Sequence, residues 1–238
     1  MRSVIIVIFI GIYIIITLPI LIICFAVGLF SKTKQYEISK TLVTGLTKGI
    51  MFLTGSKITI TGLQNIPDET VLFVGNHRSI FDIVLLINTI NRPFGFIGKK
   101  EVTKVPYLNL LMIVIGSLPI DRENPRKALK TILEGIELLK SGHPLVIFPE
   151  GTRNKISEEP LPFKQGSLKL AQKANVPVIP FSIQGTDDIF ENNDHLSIKK
   201  SNVKLNFGEP IILSELSEEN RKKSASYIRE ITIGLLNS

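Results

Sequence analysis

From Val4 to Phe30 the chain runs 27 residues without a charge, VIIVIFIGIYIIITLPILIICFAVGLF. A helix of that length rises roughly 40 Å at 1.5 Å per residue, and a bilayer's hydrocarbon core is about 30 Å thick. A secretory leader is the rival reading, but leaders carry a short apolar region and a small-residue cleavage site. This run is longer and no A-x-A-like site follows it. The expectation is an N-terminal membrane-embedded helical segment that is retained. Pro19 can kink it or split it into a re-entrant pair, so embedding is a firmer expectation than a full crossing. Lys32, Lys34, Lys40 and Lys48 follow the run, whereas only Arg2 and the amino terminus precede it. The positive-inside rule then leaves the rest of the chain on the cytoplasmic side. Residues 37–54 carry Ile38, Leu42, Leu46, Ile50 and Leu53 at helical spacing. That helix either lies at the membrane interface with its lysines near anionic headgroups or packs on the following domain. The expected division is an anchor and interfacial helix over 1–56 and a folded domain over 57–238.

The chain has 238 residues, of which 28 are Lys or Arg and 21 Asp or Glu, a net charge of +7. A basic domain suits an anionic partner: a membrane surface, a phosphorylated small molecule or a nucleic acid. With no Trp and no basic-aromatic interleaving of the kind that binds single strands, nucleic acid is not expected as a partner. One Cys excludes a disulfide framework and a Cys-based zinc site. β-rich runs at 57–61, 71–75, 94–98, 117–121, 144–148, 177–183 and 202–207 alternate with helical patterns at 79–90, 106–115, 125–140, 164–174 and 216–235. VLFVG and LVIFP read as strands buried on both faces. The order predicts an α/β domain, a mixed sheet of about seven strands flanked by helices.

Three clusters carry the chemistry. The first is Gly75-Asn76-His77-Arg78-Ser79-Ile80-Phe81-Asp82, between a buried strand and a helix start. On one continuous helix His77 and Asp82 would stand about 140° apart. They meet only if His77 lies on the turn and Asp82 in the first helical turn. Asp82 would then fix the imidazole tautomer and leave the other ring nitrogen to take a proton. The structural alternative is that Asn76, Ser79 or Asp82 merely caps the helix. The second cluster is Phe148-Pro149-Glu150-Gly151-Thr152-Arg153, an anion-binding turn with a glycine for close approach and an arginine fork, or else a surface Glu150–Arg153 pair. The third joins Lys99-Lys100 and Asp121-Arg122, two cationic strand ends that could converge on one anion. Backbone N–H groups near Asn76–Ser79 or Gly151 are candidates to hold an oxyanion. No nucleophile elbow, phosphate loop, dinucleotide fingerprint or H-E-x-x-H spacing occurs, so no catalytic metal is expected. His143 and His195 read as incidental, and residues 105–115 as core or as the wall of an apolar groove.

Assembled, these residues resemble the glycerolipid acyltransferase family, the 1-acylglycerol-3-phosphate acyltransferases in particular. The similarity runs over roughly 35–215. Asn76-His77 and Asp82 match N-H-x-x-x-x-D. Lys99, Pro106 and Arg122 fall at the spacings of a second motif, with Val102 in place of its Leu and Asn109 in place of its Gly. Phe148–Arg153 matches F-P-E-G-T-R in full, and Val176-Pro177-Val178-Ile179-Pro180 is similar to a fourth, proline-containing block. The resemblance implies a membrane-associated enzyme, free of metal and cofactor, that moves an acyl group from acyl-CoA or acyl carrier protein to the hydroxyl of lysophosphatidic acid. It implies His77 as general base and Asp82 as its orienter. Lys99, Arg122 and Arg153 would bind the acceptor phosphate, with Asn76, Ser79, Glu150, Gly151 and Thr152 in support. Glu150 would order its turn or contact the acceptor. The alternatives are another acceptor, glycerol 3-phosphate or a different lysophospholipid, and a non-catalytic phospholipid-binding protein.

Overall fold

A computed structural model describes residues 1–238, the side chain at position 196 excepted. The uncharged run forms helix α1 (Arg2–Val27), which continues through Pro19 as one element. Helix α2 (Lys32–Thr54) folds back along it. It begins five residues before the hydrophobic pattern suggested, because the Ser31 hydroxyl accepts from the Lys34 N–H and so caps it. The two helices are joined at several levels. Tyr13 Oη donates to the Leu42 carbonyl at 2.6 Å and Cys24 Sγ to the Gln35 carbonyl at 3.3 Å. Gly45 and Gly49, one turn apart on α2, face Tyr13 and Phe9; a Cβ at Gly45 would collide with the Tyr13 hydroxyl and one at Gly49 with the Phe9 ring. The inner face of α2 packs on the domain: Ser39 donates to the Val114 carbonyl and Thr47 to Asn88 Oδ1, each at 2.8 Å. Of the two readings of this helix, packing describes its buried face.

The seven strands appear within a residue or two of the runs that predicted them: β1 (Lys57–Thr61), β2 (Leu72–Gly75), β3 (Gly95–Lys99), β4 (Leu118–Ile120), β5 (Leu145–Ile147), β6 (Val178–Gln184) and β7 (Asn202–Phe207). They form one sheet in the order β1-β7-β6-β2-β5-β3-β4. Five neighbouring strands, β6 to β4, are parallel; β7 runs antiparallel to β6, and β1 parallel to β7. Side chains alternate across the sheet. Phe73, Val146 and Phe181 join the core shared with α1, α2 and α3 (Phe81–Thr89). Leu72, Val74 and Leu145 face α5 (Pro125–Lys140), α6 (Gln165–Ala174) and the C-terminal helix. Helix α4 (Pro106–Val114) packs on α1 and α2, burying Leu111 and Val114, while Leu108 and Ile113 stay partly exposed. The helix expected over 216–235 is two, α7 (Glu218–Lys222) and α8 (Ser224–Leu236). The break at Lys223 gives α8 its own cap: Gln165 Oε1 accepts from the Ala225 N–H at 3.0 Å, and Gln165 Nε2 donates to Ser224 Oγ at 2.8 Å.

His143 sits where the chain passes from α5 into β5. Its ring stacks on Tyr36 of α2 at 4.0 Å, and Nε2 lies 3.1 Å from the Ile115 carbonyl. Burial pushes its pKa down from 6.5 to about 4, against the opposing pull of that carbonyl. A histidine held neutral in the fold stabilises fully above its unfolded pKa, and that stability is lost as pH falls toward the folded value. At 1.36 kcal/mol per unit, the loss is about 3 kcal/mol. The unfolding midpoint should therefore drop between pH 6.5 and 4, and His143→Phe, which keeps the stack and removes the titration, should flatten that slope in thermal melts. An unchanged slope in the variant would show that the acid sensitivity lies elsewhere.

Candidate active site

Because β6, β2, β5, β3 and β4 are parallel, the residues that leave their C-terminal ends collect along one edge, where open α/β sheets place ligands. His77 follows β2, Lys99 ends β3, Arg122 follows β4, Phe148 to Arg153 follow β5, and Gly185 to Asp187 follow β6. β2 and β5 are neighbours, with Val74 opposite Ile147, so the first two clusters meet directly. Gly75 belongs at this junction, since a Cβ there would run into both the ring and the carbonyl of Phe181. Asn76 carries the β2–β6 pairing one step further: its amide donates to the Ile183 carbonyl and accepts from the Ile183 N–H, both at 2.8 Å.

His77 is fixed from four directions. Its N–H donates to Glu150 Oε1 at 2.6 Å, and its carbonyl accepts from the Asn154 N–H at 2.7 Å. Its ring lies on Phe148, 4.1 Å between centroids and 15° from parallel. Its Nδ1 is 2.8 Å from Asp82 Oδ2. Nε2 has no hydrogen-bond partner among the described residues and is not among the buried polar atoms left unpaired. With Nδ1–H donating to the carboxylate, Nε2 presents a lone pair toward solvent.

Asp82 is completely buried, and a buried carboxylate needs donors in place of water. Its Oδ2 also accepts from the N–H groups of Arg78 at 2.7 Å and Ser79 at 3.0 Å, and its Oδ1 from the Thr186 hydroxyl at 2.5 Å. It thus caps the turn and orients the imidazole at once, so the structural and the chemical readings describe one geometry.

Glu150 is buried with both oxygens committed, to the His77 N–H and to the Leu161 N–H at 2.7 Å. It orders the turn and forms no pair with Arg153. Burial raises its pKa, and the two backbone donors pull the other way. Gly151 takes a positive φ of 74° in that turn, and Thr152 is exposed. The backbone donors suggested for an oxyanion are occupied here: His77 N–H by Glu150, Arg78 and Ser79 N–H by Asp82, and Gly151 N–H by the Phe148 carbonyl.

Each of the cations has a contact of its own. Lys99 is 59% exposed, with Glu101 at 3.7 Å. Lys100 pairs with Asp121 at 2.9 Å. Arg122 donates to the Gly151 carbonyl and so ties the β4 end to the β5 turn. Burial lowers the Arg122 pKa against the pull of nearby Glu101. Arg153 donates through Nη1 to Glu191 at 2.7 Å. Several residues here carried no signal in the sequence. Thr186 holds Asp82. Asp187 takes the Arg78 guanidinium at 2.6 and 2.9 Å. Burial opposes ionisation of both partners, yet their hydrogen bond and charge prevail, setting Asp187 below and Arg78 above their ordinary pKa values. These residues lie in Gly185-Thr186-Asp187-Asp188, which reads as an ordinary polar loop. Its one clue is its place directly after a buried strand.

A family model described as Acyltransferase matches residues 57–184. Over 181 residues the chain is 32% identical to the 1-acyl-sn-glycerol-3-phosphate acyltransferase of Borreliella burgdorferi, covering 76% of this chain and 72% of that one. It is 34% identical over 174 residues to a chloroplastic 1-acyl-sn-glycerol-3-phosphate acyltransferase of Arabidopsis thaliana, where it spans 71% of its own length and 48% of the relative's. The crystal structure of the 1-acyl-sn-glycerophosphate (LPA) acyltransferase PlsC from Thermotoga maritima superimposes with a TM-score of 0.75 at 26% identity, covering 100% of this chain and 97% of that one.

Glu150→Ala should destabilise the protein by about 2–4 kcal/mol, since it strips a charged acceptor from two backbone donors. Glu150→Gln, which keeps one acceptor oxygen, should fall between. Denaturant unfolding of the three proteins checks this, and an Ala variant as stable as wild type would mean that the turn holds His77 without Glu150.

Proposed function

The chain belongs to the acyltransferase family, and from that premise we propose that it transfers a fatty acyl group from acyl-CoA or acyl carrier protein to the free hydroxyl of lysophosphatidic acid, giving phosphatidic acid. The single observation that carries the reading is the His77–Asp82 pair at 2.8 Å with Nε2 left open. In this mechanism the acceptor hydroxyl is the nucleophile. His77 Nε2 takes its proton as the oxygen attacks the thioester carbonyl, and Asp82 supports the imidazolium that forms. The tetrahedral intermediate collapses with cleavage of the C–S bond, and the imidazolium returns the proton to the departing thiolate. The new ester and the free thiol balance the reaction, so the protein supplies no covalent nucleophile and the scheme needs no metal. Arg153, with Lys99 and Arg122, binds the acceptor phosphate and thereby places the hydroxyl.

We place the enzyme on the membrane through residues 1–56, with the catalytic domain over 57–238 on the cytoplasmic side. Supporting this, the outer face of α1 is apolar and open, with Val7 at 67%, Ile15 at 74% and Ile23 at 63% exposure. Its other face is joined to the protein near both ends and in the middle, from Ser3 at Ile198 through Thr17 at Tyr107 to Cys24 at Gln35. A helix held lengthwise in this way favours embedding alongside the domain over an isolated crossing. The lysines that follow α1 favour the cytoplasmic face.

His77→Ala should lower turnover by about 10²–10⁴-fold in a thiol-release assay on detergent-solubilised protein, with the thermal midpoint largely kept. Wild-type turnover in the folded variant would remove His77 as the base. Arg153→Ala should raise the KM for lysophosphatidic acid about tenfold or more, one charge-assisted contact being worth about that factor, and leave monoacylglycerol turnover unaltered. Equal losses on both acceptors would argue against a phosphate contact.

A further inference from the structure

The proposed phosphate arm and the proposed base leave different strands, β5 and β2, yet one carboxylate joins them. Glu191 Oε2 accepts from the Ser79 hydroxyl at 2.5 Å, and Oε1 accepts both from the Ile80 N–H at 2.9 Å and from Arg153 Nη1 at 2.7 Å. Ser79 and Ile80 belong to the turn whose neighbouring N–H groups Asp82 holds. The Glu191 side chain is 9% exposed and the Arg153 side chain 42%. Glu191 is therefore the fixed partner and the arginine the one that leans on it. Arg153 Nε and Nη2 make no hydrogen bond among the described residues.

The position of Glu191 is built by its neighbours in sequence. Ile189 is completely buried in the core beneath the turn. Phe190 lies 6.5 Å from Phe81, the first residue of α3. Asp187 grips Arg78, and the Asn192 side chain donates back to Asp187 at 3.1 Å and Asp188 at 2.9 Å. The loop is pinned on both sides of Glu191, which delivers its carboxylate to the start of α3, where the helix dipole also favours a negative group.

We propose that Glu191 is a positioning residue that fixes Arg153 at a set distance from His77, and so selects acceptors whose phosphate and free hydroxyl are separated by one glycerol unit. The inference rests on Arg153 as the phosphate contact. Glu191 touches no reacting atom. It spends one arginine nitrogen on orientation and leaves the other two for the phosphate. An arginine held in place loses less freedom on binding than one that must be ordered by the ligand.

The test is steady-state kinetics of the full-length enzyme in detergent micelles, with lysophosphatidic acid, glycerol 3-phosphate and monoacylglycerol as acceptors. Glu191→Ala should raise the lysophosphatidate KM about tenfold, as expected for one lost charge-assisted contact, with kcat and the donor KM within about threefold. Glycerol 3-phosphate, which carries the same phosphate and hydroxyl spacing, should lose affinity by a similar factor, and monoacylglycerol turnover should not move. Glu191→Asp should recover part of the loss. In the Arg153→Ala background, Glu191→Ala should add little, because residues acting through one contact are not additive. Ser79→Ala, which removes one anchor of the carboxylate, should give a smaller shift of the same kind and serves if Glu191→Ala fails to fold. Three results would overturn the inference: a KM unchanged in both Glu191→Ala and Ser79→Ala, losses shared equally by acceptors with and without a phosphate, or full additivity with Arg153→Ala. A wild-type enzyme without transferase activity would instead strike the functional proposal on which this one rests.

Discussion

The structure turns on one buried carboxylate. Asp82 has no contact with water, and four donors take its place: an imidazole, two backbone N–H groups and a threonine hydroxyl. Those donors come from the turn after β2 and from the loop after β6, so satisfying one charge closes two neighbouring strand ends over the start of α3. An unpaired buried carboxylate costs several kcal/mol, and sharing the charge among four donors avoids that penalty. The same economy fixes the imidazole, because its Nδ1 is one of the four. The ring is oriented by the requirement that Asp82 be solvated by protein.

A second layer of buried charge keeps this arrangement rigid. Glu150 takes the backbone of His77 from one side and that of Leu161 from the other. Arg78 sits between Asp187 and the Ser157 carbonyl. Each is a charge-assisted bond in a poorly hydrated place, where such bonds are strongest and where an absent partner is most costly. The cations expected to bind an anion are held differently. Lys99 and Arg153 stay substantially exposed and make single contacts with carboxylates. The acidic groups around His77 are thus spent on geometry, and the basic groups retain free donors.

Sequence reading fared best where the physics is local. Strands buried on both faces are short, continuous apolar runs, and VLFVG, LVIFP and VIPFSI stand out from their flanks, so the sheet was legible nearly to the residue. The His77–Asp82 pairing was legible too, because five residues across a strand–helix junction leave few other geometries. Contacts made at long range were not. Gln165 caps α8 from about sixty residues upstream, and the uninterrupted helical pattern after Leu216 gives no sign of a break. Thr186 and Glu191 reach Asp82 and Ser79 across more than a hundred residues. A threonine or glutamate in a polar loop carries no mark of what it will meet. Gly45 and Gly49 lower helix propensity, and their use shows only once α1 is laid against them. The alternative of a surface Glu150–Arg153 pair does not form, because both Glu150 oxygens are taken by distant backbone donors.

Helices α1 and α2 share one hydrophobic core with the turn that carries His77. Ile6 of α1 and Leu46, Ile50 and Met51 of α2 join the cluster that holds Phe81, Phe148, Phe181 and Ile189. Phe148 is the surface on which His77 lies, and Ile189 steadies the loop that carries Glu191. Protein cores are close-packed and transmit displacement, so a shift of α1 along α2 reaches the base, the floor beneath it and the arginine's partner without passing through a flexible linker. An acceptor that stays in the membrane by its acyl chain offers its hydroxyl at a depth set by the lipid. For the proposed base to meet it, the depth of His77 must be set as firmly. On the proposed membrane placement, a helix packed lengthwise against the domain sets that depth through folding itself, and the close contact rests on Gly45 and Gly49, which admit the Tyr13 hydroxyl and the Phe9 ring.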